Sequence, residues 1–413
     1  MTRTLAARSL SALNLSELEF WRETGHRDEV FARLRAEDPV SWQPGNDWVG
    51  QGFWALTRHR DIVTVTRDTT TFSSVNSILM LDKPDVPPER KVFESMINAD
   101  DPKHVRLRRL VAQGFTPRRV RQLDDSVRRR SREIVDAIAG RGECEFVEEV
   151  AAALPLAVIC DMMGLPSRVY KRVFDLTNVV LGVGDPEYGV DLKGPYDAGW
   201  ELHHLALDHC RTRLDNPTDD LTSVLVHGEV EGERLTLDEV ATFFTLLVIA
   251  GNETTRNAIS HGLIALTAHP DQRRLWMTRF DEVTPTAVDE IVRWATPVIH
   301  MRRRALAHAV VGGVRIAAGD KVVMFYSSAN RDEAVFADPH RFDLTRTPNH
   351  HLGFGAQGPH YCLGAHLARR EIALMFEELF RRIPDIVMDG EPTMLWSPFL
   401  HGVKRLPARF DPA

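Results

Sequence analysis

"HLGFGAQGPHYCLGAHLARREI", His351 to Ile372, sets one cysteine among glycines and then runs into a helical pattern. The chain has 4 Cys; Cys144, Cys160 and Cys210 lie far upstream, so Cys362 must be read from its own neighbourhood. Gly353, Gly355 and Gly358 permit tight turns and a close approach to a flat partner. Helical spacing over Leu363 to Phe380 puts Cys362 just before a helix N-terminus. That end of a helix favours negative charge and lowers a thiol's pKa, so a thiolate held there suits a metal ion. From these residues alone, three other fates stay open. Cys362 could be an inert buried cysteine. It could join His350, His351 and His360 in a zinc site, although the ligand spacing is irregular. It could be a nucleophile with His360 as base.

The whole chain narrows the field. With 51 basic and 58 acidic residues the net charge is −7, which argues against a general nucleic-acid binder. Cysteines without regular spacing argue against a disulfide framework and fit a reducing compartment. "MTRTLAARSLSALNLSELEFW" carries no long apolar run, so no secretory signal is expected. No run of about 18 apolar residues occurs, so no membrane span is expected and the location implied is cytoplasmic.

The patterning is mainly α with minor β and asks for no linker, which implies one domain over residues 1–413. The β-rich parts fall at about 40–75, 300–330 and 385–413, the helical parts at about 100–300 and 363–382. "FWALT" and "DIVTVTR" read as short strands, "GHRDEVFARLRAEDP" as a helix ended by proline. "VVGGVRIAAGDKVVMFY" reads as a small hairpin sheet, and "MLWSPFLHGVKRLPARF" as short strands. The longest helix starts at a capping box, Thr236 with Glu239, and meets no proline until Pro270. At 1.5 Å per residue it is about 50 Å long, and its apolar "FFTLLVIAG" implies that it crosses the core.

"LGFGAQGPHYCLGAHLAR" resembles the haem-binding loop of the cytochrome P450 family, whose cysteine thiolate is the proximal iron ligand. The resemblance implies the P450 fold, with a long helix over haem b and Cys362 as the iron ligand. Phe354, Gly355, His360 and Gly364 would surround the cofactor. Phe354 stands eight residues before Cys362, where the family has seven, so its packing against the thiolate side is the point of departure. "AGNETT" resembles the family's pattern on the long helix. It implies Ala250 and Gly251 against the haem, with Glu253 and Thr254 as an acid–alcohol pair relaying protons. Gly251, a poor helix former, would permit a local distortion that admits dioxygen. "EIVR" and "DPHRFD" resemble a structural ion network of Glu290, Arg293 and Arg341. "DDPKHVRLRRLVAQGFTP" resembles the helix flanking a haem propionate, which implies propionate contacts from His104 and Arg108, one turn apart, and from Arg303 and His360.

Beyond the family, "AGNETTRNAI", "EIVRWATPV", "VVMFYSSANRDE" and "FLHGVKRLP" resemble actinobacterial monooxygenases that hydroxylate the terminal carbon of methyl-branched lipids and sterol side chains. A primary C–H bond is stronger than its neighbours, so such a pocket must be a narrow apolar funnel presenting only the chain end. The candidates are Leu79 and Met80, flanked by Ile78 and Leu81, then Val248, Val298, Ile299 and Phe399. No flavin or iron–sulfur motif is present, which implies a separate ferredoxin with an NAD(P)H-dependent ferredoxin reductase. Arg106, Arg109, Arg118, Arg119, Arg121, Arg369 and Arg370 would form its docking face. The alternatives are a tailoring hydroxylase for a terpenoid or polyketide, a peroxide-using haem-thiolate peroxygenase, and a haem sensor or carrier without turnover. Glu253 and Thr254 argue against the last two.

Overall fold

The computed structural model describes residues 13–22, 25–75, 77–82, 95–112, 117–189 and 193–413, with side chains described from 123 onward in the helix Pro117–Ile138. A central helix, Leu237–Ala268, organises it. Thr236 Oγ1 accepts from the Glu239 amide (3.1 Å), and Glu239 Oε2 accepts from the Thr236 amide (2.9 Å). Donors that a first turn leaves unpaired are thereby satisfied. The helix stays unbroken through Gly251 and ends where Pro270 starts the next one. The distortion expected at Gly251 is therefore not seen. Glycine there serves close packing instead: a Cβ would stand 2.6 Å from Ile159 Cδ1.

The two halves of this helix feed two cores. Val240, Phe244 and Val248 pack with the helices Ala153–Met163, Tyr170–Leu181 and Lys193–Asp215. Ala258, Ile259 and Leu263 pack with Phe280–Ala295 and Ala365–Arg382. A Cβ at Gly262 would stand 2.7 Å from the Phe376 ring, so this glycine sets how near the cysteine-bearing segment can approach. Each large apolar side chain buried here contributes about 1.5–3 kcal/mol.

The strands, in chain order, are β1 (Val40–Gln43), β2 (Phe53–Leu56), β3 (Phe72–Ser73), β4 (Glu143–Glu145), β5 (His300–Ala305), β6 (Ala309–Val311), β7 (Val314–Ile316), β8 (Lys321–Phe325), β9 (Val387–Met388), β10 (Thr393–Met394), β11 (Val403–Arg405) and β12 (Pro407–Arg409). The main sheet runs β1-β2-β8-β5-β3, with only β2 and β8 parallel. His300 pairs with Phe325 and Arg302 with Val323. β6 and β7 form the expected hairpin, while β8 leaves it for the main sheet. "DIVTVTR" is not a strand but part of a helix, His59–Arg67. Its β-branched residues favour strands. Yet Ile62, Val65 and Thr66 recur at helical spacing and are buried, and the first two pack under the sheet. Packing overrides propensity there.

A buried carboxylate ties the helix Phe280–Ala295 to the segment leading into the cysteine loop. Glu290 and Arg293 are both 0% exposed and pair bidentately, each bond 2.7 Å. The third member of the network is Arg346, 3.1 Å from Oε2 of Glu290, and not Arg341 as expected. Arg341 is exposed and offers only its carbonyl, which accepts from Arg293 and Arg346. The turn formed by Asp338 to Arg346 explains the exchange, because it carries Arg346 back over the carboxylate. The Asp343 amide (2.9 Å) and Asn349 Nδ2 (3.2 Å) complete the shell. A charge this buried is tolerable only when fully paired.

Removing Arg346 by Arg346→Ala is expected to cost about 1.5–3 kcal/mol, as for a hydrogen bond to a charged group. Arg341→Ala should stay within about 0.5 kcal/mol of the parent. Thermal unfolding of both variants checks this, and equal losses would return Arg341 to the network.

Candidate active site

The cysteine loop is closed by its own backbone. The Cys362 amide donates to the Phe354 carbonyl (3.0 Å), the Gly355 amide to Leu352 (2.9 Å) and the Tyr361 amide to Gly358 (3.0 Å). Gly355 sits at φ 82, a left-handed conformation that favours glycine. The Phe354 ring packs against the cysteine helix. The Arg369 guanidinium lies 4.4 Å from that ring's centroid, and Arg369 Nε is 2.8 Å from Asp289. Gly364 caps the helix Ala365–Arg382, two residues later than its spacing implied.

Cys362 is exposed, unlike Cys144, Cys160 and Cys210, which are buried. Although part of its surface is open, protein crowds its sulfur. That burial pushes the thiol up, while the Gly364 and Ala365 amides and the Arg108 and Arg369 guanidiniums favour the thiolate. Burial likewise raises Cys160 to about 12, with no cation among the causes to oppose it. Only Cys362 is thus both reachable and provided with groups that stabilise its anion.

Beside the loop, His104, Arg108, Arg303 and His360 converge. The rings of His104 and His360 are 4.2 Å apart. Arg108 Nη2 donates to the Tyr361 carbonyl (2.9 Å) and Arg303 Nη1 to the Arg302 carbonyl (2.9 Å). Neither makes an ion pair with a carboxylate among the described residues. His104 Nε2 and Arg303 Nε are buried without a hydrogen-bond partner. Burial, then Arg303, His104 and Arg108, press His360 down to about 3. Cationic groups gathered in this way are costly unless an anion joins them. The cluster beside a reachable sulfur therefore fits a flat group carrying carboxylates on one edge and a metal at its centre, which is the chemistry of haem.

On the central helix, Thr254 Oγ1 donates to the Ala250 carbonyl (2.7 Å). Both residues line a cavity of about 260 Å³. Glu253 turns away, 1% exposed and paired with Arg256, which also donates to Asn178 Oδ1 (2.8 Å). Burial pushes its carboxyl up, and Arg256 opposes that. Glu253 Oε1 has no partner. Sequence reasoning passed over Glu371, buried between the central helix and the cysteine helix. Burial pushes this carboxyl up to about 8, against a bond from Thr255. Its place on the turn after "LARR" was the available signal.

Leu79, Met80, Val298 and Phe399 line the cavity as expected, together with Ile78 and Leu81. Val248 and Ile299 do not. Val248 lies on the opposite side of the helix, packed in the core with Phe244 and Ile159. Ile299, between Val298 and His300, points into the core with Trp21 and Phe325. The helix presents Thr242, Thr245, Leu246 and Ile249 instead. Stepping back from Thr254 by three and four residues marks that stripe.

The arginines expected on the docking face are each engaged by acidic side chains where they are described. Arg106 turns to Glu239 in the first turn of the central helix (2.7 Å), and Arg109 to Glu233 just before it (2.9 Å). Arg369 and Arg370 lie on the cysteine helix, paired with Asp289 (2.8 Å) and Asp124 (2.5 Å). The side chains of Arg118, Arg119 and Arg121 lie outside the described residues.

Comparison with known proteins agrees with this geometry. A family model described as Cytochrome P450 matches residues 282–391, which contain Glu290, Arg293 and Cys362. A methyl-branched lipid omega-hydroxylase of Mycobacterium tuberculosis is 46% identical, over 97% of this chain and 95% of its own length. A steroid C26-monooxygenase of Mycolicibacterium smegmatis is 40% identical, over 91% of this chain and 88% of its own length. The solved structure of a Mycobacterium marinum cytochrome P450 in complex with pseudoionone superposes with a TM-score of 0.90 at 43% identity, covering 98% of this chain and 100% of that one. Similarity of this depth over nearly the whole length, around a reachable thiolate beside a cationic cradle, means that the chain belongs to the cytochrome P450 family of haem-thiolate monooxygenases.

Proposed function

We propose that this cytochrome P450 hydroxylates the terminal carbon of a methyl-branched lipid or a sterol side chain. One observation carries the reading: the cavity's lining is overwhelmingly apolar and reaches the helix at Ala250 and Thr254, where the chain's proton-handling groups stand. Such a shape admits an extended apolar chain by its end. Similarity to enzymes named for omega- and C26-hydroxylation supports the same reading.

Haem b, held by the Cys362 thiolate, supplies the iron that activates dioxygen. The chain's own residues do the rest. His104, Arg108, Arg303 and His360 bind the propionates. Thr254 holds a proton at Oγ1 and can release the Ala250 carbonyl to donate into the cavity. Glu253, kept close by Arg256, replenishes that proton once its side chain swings from the pair. The apolar walls exclude water and fix the substrate's end against Thr254. Two electrons come from a ferredoxin and its NAD(P)H-dependent reductase, which approach the side carrying Arg369 and Arg370.

A second reading has its own observation. The Mycobacterium marinum P450 was solved with pseudoionone, so an acyclic terpenoid is the rival substrate class.

Titration of the purified holoenzyme, followed at the Soret band, separates the two. A low- to high-spin shift with a methyl-branched fatty acid or a cholesterol-derived ketone, and terminal alcohol on turnover, is expected. A shift with the terpenoid alone would end the lipid reading. Thr254→Ala should still consume reductant and release hydrogen peroxide. Its product should fall by about a hundredfold, the lower end of what a positioned proton donor contributes. Full product yield from this variant would remove Thr254 from the reaction. Charge reversal at Arg370 should slow reduction at low salt more than reversal at Arg109, because Arg109 is held by two carboxylates, Glu231 and Glu233, and Arg370 by one, Asp124. Equal slowing measured by stopped flow would move the docking face.

A further inference from the structure

His300 opens β5, is 0% exposed at its surface and lines the substrate cavity. Both of its ring nitrogens are engaged by backbone from other segments. Nδ1 lies 2.9 Å from the Pro398 carbonyl, which can only accept. Nε2 lies 3.0 Å from the Met80 amide, which can only donate. The two bonds together require one neutral tautomer, with the proton on Nδ1 and a lone pair on Nε2. Burial holds the ring well below its ordinary value, at about 4, so that form persists at neutral pH.

The segments joined in this way are two walls of the cavity. Residues 77–82 place Ile78, Leu79, Met80 and Leu81 on one side, and residues 397–400 place Phe399 on the other. The Phe399 ring stands edge-on to His300 with centroids 5.5 Å apart. The rest of the first wall hangs from the same sheet. The Arg302 amide donates to Ile78 (2.8 Å), and its guanidinium to Leu81 (3.0 Å) and Asp82 (3.0 Å). Lys321 on β8 reaches Asp82 (2.8 Å). Arg302 and Lys321 thus hold this wall on both sides of Met80, Lys321 reaching the Met80 carbonyl as well (3.4 Å), and the Ile299 amide holds the Phe399 carbonyl (2.8 Å); His300 is the side chain that bonds Met80 and Pro398 at once and so spans both walls.

We propose that His300 is a positioning residue for specificity, a staple that sets the width between the Met80 wall and the Phe399 wall and so decides which carbon of the substrate is presented. It touches no reacting atom and acts through the walls. The inference rests on the proposed hydroxylation for its substrate, but not for its geometry. A wall shifted by an ångström admits a folded chain end, and the weaker subterminal C–H bond is then the one attacked.

The test compares His300→Phe, which keeps a ring and loses both bonds, with His300→Gln, whose amide can donate to Pro398 and accept from Met80. Haem content and thermal midpoint are measured first, and His300→Leu replaces the Phe variant if that one does not load haem. Hydrogen exchange over residues 77–82 needs no substrate. It should rise about tenfold in the Phe variant, as for one lost hydrogen bond. The ratio of terminal to subterminal alcohol from a methyl-branched fatty acid should fall about tenfold or more in the Phe variant. The Gln variant should recover most of it. Unchanged exchange, an unchanged ratio, or a Gln variant as unselective as Phe would each overturn the staple. If the wild type makes no terminal alcohol from the lipid, it is the proposed function that fails. Exchange over residues 77–82 then decides the staple by itself.

Discussion

A thiolate has to be kept where water scarcely helps it, and the proximal half of this protein is arranged around that demand. Burial pushes the Cys362 thiol up. The loop answers with two amides from the start of a helix and two guanidiniums nearby. These groups work only if the loop keeps its shape, and its shape is set from outside. Leu352 donates its amide to Asn330 Oδ1 (2.7 Å), and the Asn330 carbonyl accepts from Arg293 (2.8 Å). Arg293 in turn is locked to Glu290. The ion network so often taken as a fixture of helix pairing is here the foundation of the metal ligand.

The central helix meets a different constraint, because one element must serve a packed core and a working cavity. Its face carrying Thr242, Leu246, Ala250 and Thr254 is open to the substrate. Its other faces are buried along almost the whole length. Thr254 satisfies its hydroxyl against the helix itself, which lets a polar group stand in an apolar cavity at little cost. Glu253, one residue before it, lies outside that cavity and needs Arg256 to be tolerated at all. Neighbours in sequence, about 100° apart on the helix, can therefore differ sharply in environment.

Motifs fixed in local spacing were legible in the sequence. The capping box at Thr236, the turn-rich cysteine loop and the one-turn spacing of His104 and Arg108 each depend on residues within a few positions of one another; the capping box is found as read, and the loop and the pair stand side by side in the fold. The misreadings share a cause: they needed the third dimension. Arg341 and Arg346 lie in one turn, and nothing in "DPHRFDLTR" says which guanidinium folds back onto Glu290. Val248 and Ile299 are apolar and near the right motifs, but the face of a helix and the alternation of an extended segment decide against them. In "DIVTVTR" the β-branched residues speak for a strand, and the surface they cover speaks for a helix. His300 gave no signal of its own, since a lone histidine in "TPVIHMR" could be core as easily as cavity wall.

β5 joins these two halves. His300 and Arg302, two residues apart, hold the substrate wall through Met80 and Leu81. Arg303, the next residue, turns to the other side and joins His104, Arg108 and His360. Alternation along one strand thus places the cofactor's anion cradle and the scaffold of the pocket at a fixed separation. A change that slid this strand by a single residue would exchange the two sets of side chains and lose both functions together. The parallel pairing of β2 with β8, and the antiparallel pairing of β8 with β5, guard that register from the interior of the sheet. The pocket wall and the cationic cluster are in this sense both set by one strand's register, which is why a substitution meant to change only the first must spare residues that face the second.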